Sequence, residues 1–312
     1  MDPITHTLSG ICVATAFLSK RGDDEPLWIM ALASNLPDVD ALVYAVGGMD
    51  AIALRRTFGH SLLTAPLWSA ALAAAFKWKW PARSYVTLFT WTMLAVLIHL
   101  LLDLTNSFGV ALLWPLSDAR PELANVFIMD LILIGFLAAP LLDRSFWRWR
   151  AQARTWARAS LLATGCYLLL CWAGRQASAG ILGRETASSV PEFSYVFPEP
   201  FGPLRWRGVT RSGGTYRTYL IRPVQGAVSL KDEIVTEPGH PACRLAAGTA
   251  AGEGLGRFFK APVWTAVEDP AGFTWARVRD LRFQPLSRSK VFAFDYGFKV
   301  YPDGRVEGPS LL

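Results

Sequence analysis

The chain has 312 residues, of which 52% are hydrophobic, and it carries a formal charge of +6. This length allows two domains. Its four cysteines form no CxxC pair, which argues against a disulfide framework or a zinc–thiolate site. Much of the positive charge lies in one block from Arg144 to Arg158, between two apolar segments and without a nucleic-acid-binding motif. Such a block is typical of membrane orientation, so we expect no nucleic-acid partner.

Apolar runs are concentrated in residues 1–183, and tryptophans lie at the ends of several of them, as in the aromatic belt of a bilayer. The runs predict about six membrane segments, several of them shorter than the roughly 20 residues that a perpendicular helix needs. Pro37 should kink or break the second segment. The predicted segments lie at about 7–19, 27–46, 60–76, 85–103, 124–142 and 159–174.

The basic loops predict the orientation of these segments. Lys20-Arg21, residues 77–83 and the Arg144–Arg158 block all fall on one side of the six-segment arrangement. The positive-inside rule places that side in the cytoplasm, although Arg55 and Arg56 lie on the other side. The sequence therefore predicts a multi-pass membrane protein with these basic loops in the cytoplasm.

Residues 204–312 read as a small β-rich domain, because short β-branched and aromatic stretches alternate there with Gly and Pro turns. The prolines of residues 184–203 indicate a linker. The expected fold is thus an α-helical integral membrane domain, residues 1–183, followed by an extracytoplasmic β-rich domain. The predicted strands include Tyr216–Ile221, Phe273–Val278 and Val291–Val300, and Tyr301-Pro302-Asp303-Gly304 is a predicted turn.

Three of the four histidines lie close to aspartates within apolar sequence, where unpaired ionisable groups are costly. His99 and Asp103 are four residues apart, so both project from one helix face. Asp38 and Asp40 follow directly after the helix break predicted at Pro37, and two close carboxylates repel unless a cation lies between them. With the predicted topology, all these side chains lie toward the outer leaflet. The predicted metal ligands are His6, Asp38, Asp40, His60, His99 and Asp103, with Asp38 and Asp103 as the catalytic residues.

Four further residues are candidates for supporting roles. Asp130 and Ser61 could form a second layer around the ligands, although Asp130 could equally serve in polar packing. Arg55 and Arg56 precede His60 and suit an anion clamp for a phosphate, or alternatively contact with lipid headgroups.

Several motifs of the first half occur in a characteristic order: Thr5-His6, Leu36-Pro37-Asp38-Val39-Asp40, Phe58-Gly59-His60-Ser61, His99-x-x-x-Asp103, then Asn106-Ser107-Phe108-Gly109 and Leu113-Trp114-Pro115-Leu116. This set resembles that of the YdjM-type membrane-bound metal-dependent hydrolases, over about residues 1–145. The resemblance implies a multi-pass hydrolase of the bacterial inner membrane. A distant likeness to the zinc-dependent phospholipase C and nuclease group implies phosphoester chemistry on clustered metals.

These observations predict a hydrolase that uses a divalent metal, most simply zinc, to attack a lipid or lipid-linked phosphoester at the outer leaflet. Six protein ligands exceed the three or four of one catalytic zinc, so either two or more ions bind or some residues lie behind the ligands. A metal or proton transporter is the runner-up, since buried acids and histidines also build ion pathways. A third reading is a scaffold with a structural metal, whose C-terminal domain binds a protein partner.

Overall fold

The computed structural model describes residues 1–20, 23–42, 54–142, 150–200, 202–284, 286 and 294–312. Arg21, the end of the second predicted segment, part of the basic block and the first residues of the strand predicted from Val291 lie outside these ranges. The chain divides into two compact units. One comprises Met1–Ala41, Arg56–Ala173 and Pro200–Pro203, and the other comprises Leu42–Arg55, Gly174–Glu199 and Leu204–Leu312.

The N-terminal part is helical, as predicted. A π-helical turn, Ala14–Leu18, continues the first helix, and a 3-10 turn, Pro37–Leu42, follows the second. The helices are α1 (Pro3–Val13), α2 (Glu25–Ala33), α3 (Ala65–Lys79), α4 (Tyr85–Thr105), α5 (Leu131–Leu142) and α6 (Arg150–Glu185).

Two helices in the described part of the chain are long and apolar enough to cross a bilayer: α4, with 21 residues, and α6 from Gln152 to Glu185. The prediction of about six spanning segments is therefore wrong in number. The apolar runs at 60–76 and 124–142 begin with turns, so their helices start only at Ala65 and Leu131. The 15 residues of α3 rise about 23 Å, less than the roughly 30 Å of a hydrocarbon core.

Side-chain caps set where the two site-bearing helices begin. The Asp2 carboxylate accepts a hydrogen bond from the backbone N–H of Thr5 at 3.0 Å, and Pro3 starts α1. Ser84 caps α4 in the same way through the N–H of Thr87. These caps fix the registers that place His6 one turn into α1 and His99 in the second half of α4.

Close backbone packing brings α1 against α2. A Cβ atom added to Gly10 would collide with the hydroxyl of Ser34 and the carbonyl of Met30, so only glycine allows this approach. The Ser34 hydroxyl donates to that same Met30 carbonyl at 2.6 Å. Because α2 ends at Ala33, no further turn of the helix supplies an N–H to the Ser34 backbone carbonyl, which can accept from another donor.

The C-terminal part is a β-sheet domain, as predicted, and the described residues form two four-stranded antiparallel meanders. Helices α7 (Pro241–Ala247) and α8 (Ala250–Phe258) separate the two sheets in the sequence. The strands are β1 (Phe193–Pro198), β2 (Trp206–Ser212), β3 (Thr215–Arg222) and β4 (Ala227–Val235), then β5 (Pro262–Asp269), β6 (Phe273–Asp280), β7 (Asp295–Val300) and β8 (Val306–Leu311).

The first sheet has an apolar core on each face. On one face, Trp206 and Ile221 pack with Leu182 from the end of α6. On the other, Phe197 and Val209 belong to a cluster with Val263. Strand β1 lies within the stretch interpreted as a linker, and the predicted domain boundaries stay a prediction.

One buried ion pair in this domain predicts a pH effect. Glu199 and Arg207 are 3% and 2% exposed, with 3.7 Å between Oε1 and Nε. Burial raises the pKa of Glu199 above its ordinary 4.5, and Arg207 offsets this only in part. The stability that Glu199 contributes is therefore fully present below pH 4.5 and is lost as the pH rises through its folded pKa.

The variant Glu199→Gln resembles the neutral acid, so it should not lose stability in this way. We expect the variant and the wild type to be similarly stable near pH 4, and the variant to be more stable at pH 8. Hydrogen exchange of the β2 amides in the full chain, corrected for intrinsic rates, measures this difference. Stronger protection of the wild type at pH 8 would contradict it.

Candidate metal centre

Four elements bring the six predicted ligands into one cluster. His6 comes from α1, Asp38 and Asp40 from the 3-10 turn after α2, and His60 from the turn before α3. His99 and Asp103 come from one face of α4. Five of the six side chains are fully buried, whereas Asp38 is 19% exposed. Asp38 therefore faces the accessible side of the cluster.

Asp103 lies at the centre of the three histidines. Its Oδ1 is 3.3 Å from Nε2 of His6, and its Oδ2 is 3.1 Å from Nε2 of His60 and 3.5 Å from Nε2 of His99. The Nε2 atoms of His60 and His99 are 3.1 Å apart. Asp38 Oδ1 lies 3.8 Å from Nε2 of His60, at the edge of the group.

Hydrogen bonds on the far side of two rings fix their tautomers. His99 Nδ1 lies 2.7 Å from the Ser34 carbonyl oxygen, which can only accept, so Nδ1 carries the hydrogen. His60 Nδ1 lies 2.8 Å from the Asp40 carboxylate and donates in the same way. Both rings, when neutral, therefore direct an Nε2 lone pair toward Asp103. Donation of the second ring nitrogen to a carbonyl or carboxylate is the usual support of a metal-binding histidine.

The inner atoms of this cluster are all electron-pair donors. Two lone pairs and a carboxylate oxygen face each other at 3.1–3.5 Å. Arg56 and the Met1 amino group supply positive charge to the carboxylate, whereas a bound cation would stabilise the two facing nitrogens as well. In a tetrahedral zinc site with bonds of about 2.0–2.2 Å, ligand atoms lie roughly 3.3–3.6 Å apart. His60, His99 and Asp103 thus fit one divalent ion.

His6 gives a second, independent indication of a ligand. Its ring is fully buried and stacks on His99 with 3.6 Å between centroids. Among the described residues neither of its ring nitrogens makes a hydrogen bond, and the 3.3 Å approach of Nε2 to Asp103 Oδ1 is an ion-pair contact only, although buried polar atoms are normally hydrogen-bonded. His6, Asp38 and His99 form another group whose ligand atoms lie within 4.8 Å of one another. Because His99 Nε2 can bind only one ion, this group and the first compete for it.

The two arginines predicted to bind an anion belong to different compact units. Arg56 is buried and reaches the cluster, with its Nε 3.1 Å from Asp103 Oδ2 and its Nη1 2.9 Å from the Asn106 side chain. Its guanidinium also lies over the ring of Phe108. The amino group of Met1 forms an ion pair with the same carboxylate. Arg55 is half-buried and belongs to the other compact unit.

The hydrogen bonds that Ser61 and Asp130 make within the described residues do not reach the cluster. The Ser61 hydroxyl donates to the Trp114 carbonyl at 2.6 Å and accepts from the N–H of Leu63. Asp130 accepts from two N–H groups at the start of α5 and from the Tyr167 hydroxyl at 2.7 Å. These contacts anchor a loop and cap a helix, and the predicted second-layer roles stay predictions.

Two supports of the site, the Ser34 carbonyl and Asn106, were not predicted from the sequence. The Ser34 carbonyl that orients His99 is a backbone group, which no residue pattern reveals. Asn106 had a signal, since it follows Asp103 by three residues at the end of the same helix. Gly59 is required because an added Cβ would collide with the Pro37 carbonyl, and this close approach brings His60 to Asp40.

Comparison with known proteins agrees with the position of this cluster in the chain. A relative, the uncharacterized protein YfhP of Bacillus subtilis (strain 168), is 30% identical over 147 residues, which make up 45% of this chain and 45% of that protein. The chain thus matches less than half of the relative's length. No solved structure matches. The family model described as YdjM inner membrane protein matches residues 1–178, which include all six clustered residues, and the chain therefore belongs to that family.

Proposed function

We propose that the protein is a membrane-bound, metal-dependent hydrolase of a lipid or lipid-linked phosphoester at the outer leaflet. The observation that carries this proposal is the set of inward-facing donor atoms of His60, His99 and Asp103, which have no hydrogen between them when both rings are neutral. Imidazole and carboxylate ligands together suit a borderline divalent ion, most simply zinc. A bound ion would polarise a phosphoryl oxygen and lower the pKa of a water molecule.

The protein's own groups have distinct roles in this proposal. Asp38 is the partly exposed acid of the cluster, so it is placed to accept a proton from the attacking water. Asp40 and the Ser34 carbonyl hold His60 and His99 in the tautomers that keep both Nε2 atoms unprotonated. In this proposal Asp40 orients the ligand His60 and does not itself bind the ion. His60, His99 and Asp103 would hold one ion, and His6 and Asp38, the other predicted ligands, would lie beside it.

The arrangement in the membrane is part of the same proposal. We place the cytoplasmic side at the basic residues Lys77, Lys79 and Arg83 before α4, so the cluster, toward the other end of α4, lies toward the outer leaflet, and α4 and α6 both cross the membrane. The proposed extracytoplasmic position of the C-terminal β domain, where a protein partner could bind it, requires that the short apolar helix α5 also crosses the membrane between α4 and α6. A phosphoester headgroup at the outer surface would lie at the depth of the cluster.

Turnover by the purified full-length protein tests the proposal. We expect phosphate or a phosphorylated headgroup to be released from vesicles of phospholipid or polyprenyl phosphate, and a chelator to stop the release. Asp38→Asn should lower kcat at least about 100-fold while the bound metal remains. Asp303→Asn, at an exposed turn of the C-terminal domain, is the matched control and should leave kcat unchanged. Metal flux into proteoliposomes without hydrolysis would overturn the proposal in favour of transport.

A further inference from the structure

Four exposed leucines lie on two hydrogen-bonded segments that follow His60 and α4. We call this set the leucine edge; it consists of Leu62, Leu63, Leu113 and Leu116. Their side chains are 41%, 46%, 53% and 82% exposed, respectively. Scattered exposed leucines are ordinary, but a connected apolar surface indicates an interaction site.

Backbone hydrogen bonds join the two segments that carry the leucine edge. The N–H of Leu62 donates to the Leu112 carbonyl at 2.9 Å. The Ser61 hydroxyl bridges the same two segments, since it donates to the Trp114 carbonyl and accepts from the N–H of Leu63. The leucines are therefore held outward by a defined loop structure whose backbone groups are paired.

The packing of α3 on α4 places the leucine edge at the end of a membrane-spanning helix. Ala65, at the start of α3, lies in one apolar cluster with Leu100 near the end of α4. Ala73, further along α3, packs with Leu88 near the start of α4. The two helices thus run antiparallel. The segment before α3 and the segment after α4 therefore lie at the same end, where α4 leaves the bilayer.

The surroundings of the leucine edge identify lipid as its occupant. On α4, Leu97 and Leu101 are exposed one turn apart, which continues an apolar surface toward the same end of the helix. Trp68 and Trp114 flank Phe58 at ring distances of 6.2 and 6.5 Å, as in the aromatic belt at a membrane surface.

We propose that the leucine edge inserts into the acyl boundary of the bilayer and that the substrate reaches the cluster from the membrane. His60 lies two residues before Leu62, and Gly59 packs on the turn that carries Asp38 and Asp40. A headgroup beside the cluster would thus keep its hydrocarbon chains against the leucines. The substrate class is then a phosphoester with long acyl or isoprenyl chains. This second part depends on the proposed hydrolase function, whereas insertion of the edge does not.

Spin labelling of the full chain in phosphatidylglycerol–phosphatidylethanolamine bilayers tests the insertion. Leu116→Cys would be labelled in a Cys166→Ser background, because the other three native cysteines are buried. The label should be more accessible to oxygen than to a water-soluble nickel complex. Val224→Cys, at an exposed turn of the C-terminal domain, should show the reverse. Greater nickel accessibility at position 116, or shielding from both reagents by a protein, would overturn the proposal.

Kinetics test the entry of substrate from the membrane. The double variant Leu113→Gln/Leu116→Gln should raise KM for a vesicle-borne phosphoester at least about tenfold, since glutamine would lose the apolar contact with the hydrocarbon chains of the substrate. The kcat value, and turnover of a short-chain soluble phosphodiester, should stay unchanged. An unchanged KM, or an equal loss on both substrates, would overturn membrane entry. Absence of turnover by the wild type would instead refute the hydrolase function and leave the labelling result valid.

Discussion

Replacing His99 by alanine is expected to remove the bound metal, from about one equivalent per chain to less than about one tenth. His99 belongs to both groups of candidate ligands found among the described residues, so neither group keeps three members without it. Loss of a group that only orients a ligand already costs about 10–100-fold in metal affinity, and loss of a ligand should cost more. Elemental analysis of the purified full-length protein measures the effect.

A graded series of variants separates ligands from supporting residues. His60→Ala should behave like His99→Ala, whereas Asp40→Asn should weaken metal binding by only about 10–100-fold because Asp40 acts through His60. His240→Asn is the matched control. That histidine caps α7 through the N–H of Ala242, far along the chain from the cluster, and asparagine can cap equally well. Unchanged metal content in a variant lacking both His60 and His99 would refute the centre.

The residue types of the cluster were predictable from the sequence because burial makes them costly. Histidine and aspartate within apolar runs need partners, and the spacing of His99 and Asp103 places both on one helix face. The break at Pro37 likewise indicated where Asp38 and Asp40 could leave a helix. Residue type and spacing thus predicted which side chains could bind a metal, and the structure brings these side chains together.

Other features depend on contacts that local patterns do not contain. Asp130 precedes an apolar run, and an acid at that position suits a helix cap as well as a ligand; its bonds to the N–H groups of α5 are those of a cap. Hydropathy also cannot separate a turn from a helix within an apolar run, which led to too many predicted spans. The direction of Arg56 depends on its positive φ of 53° and on its contacts with Asp103.

Arg56 should compete with the metal for Asp103, because its guanidinium pairs with both carboxylate oxygens at 3.1–3.2 Å. Without metal, Arg56→Met leaves the buried carboxylate with less positive charge around it. Breaking a buried ion pair costs about 3–5 kcal/mol, so the variant should unfold at a markedly lower temperature in a chelator. With saturating zinc the ion neutralises Asp103, and the difference in Tm from the wild type should shrink.

The same competition predicts that Arg56→Met binds zinc more tightly than the wild type, by about tenfold or more. If zinc raises the free energy of unfolding of the variant by more than that of the wild type, it must also bind the folded variant more strongly. Competition with a chelating dye measures the Kd, and Arg305→Met, at an exposed arginine of the C-terminal domain, is the matched control. An equal loss of Tm with and without zinc, together with an unchanged Kd, would contradict the competition.

If the predicted pattern holds, metal binding frees the guanidinium from Asp103 and leaves it on Asn106 and Phe108, beside the ion. A phosphoryl group could then accept its hydrogen bonds there, which would give Arg56 the anion-binding role predicted from its position before His60.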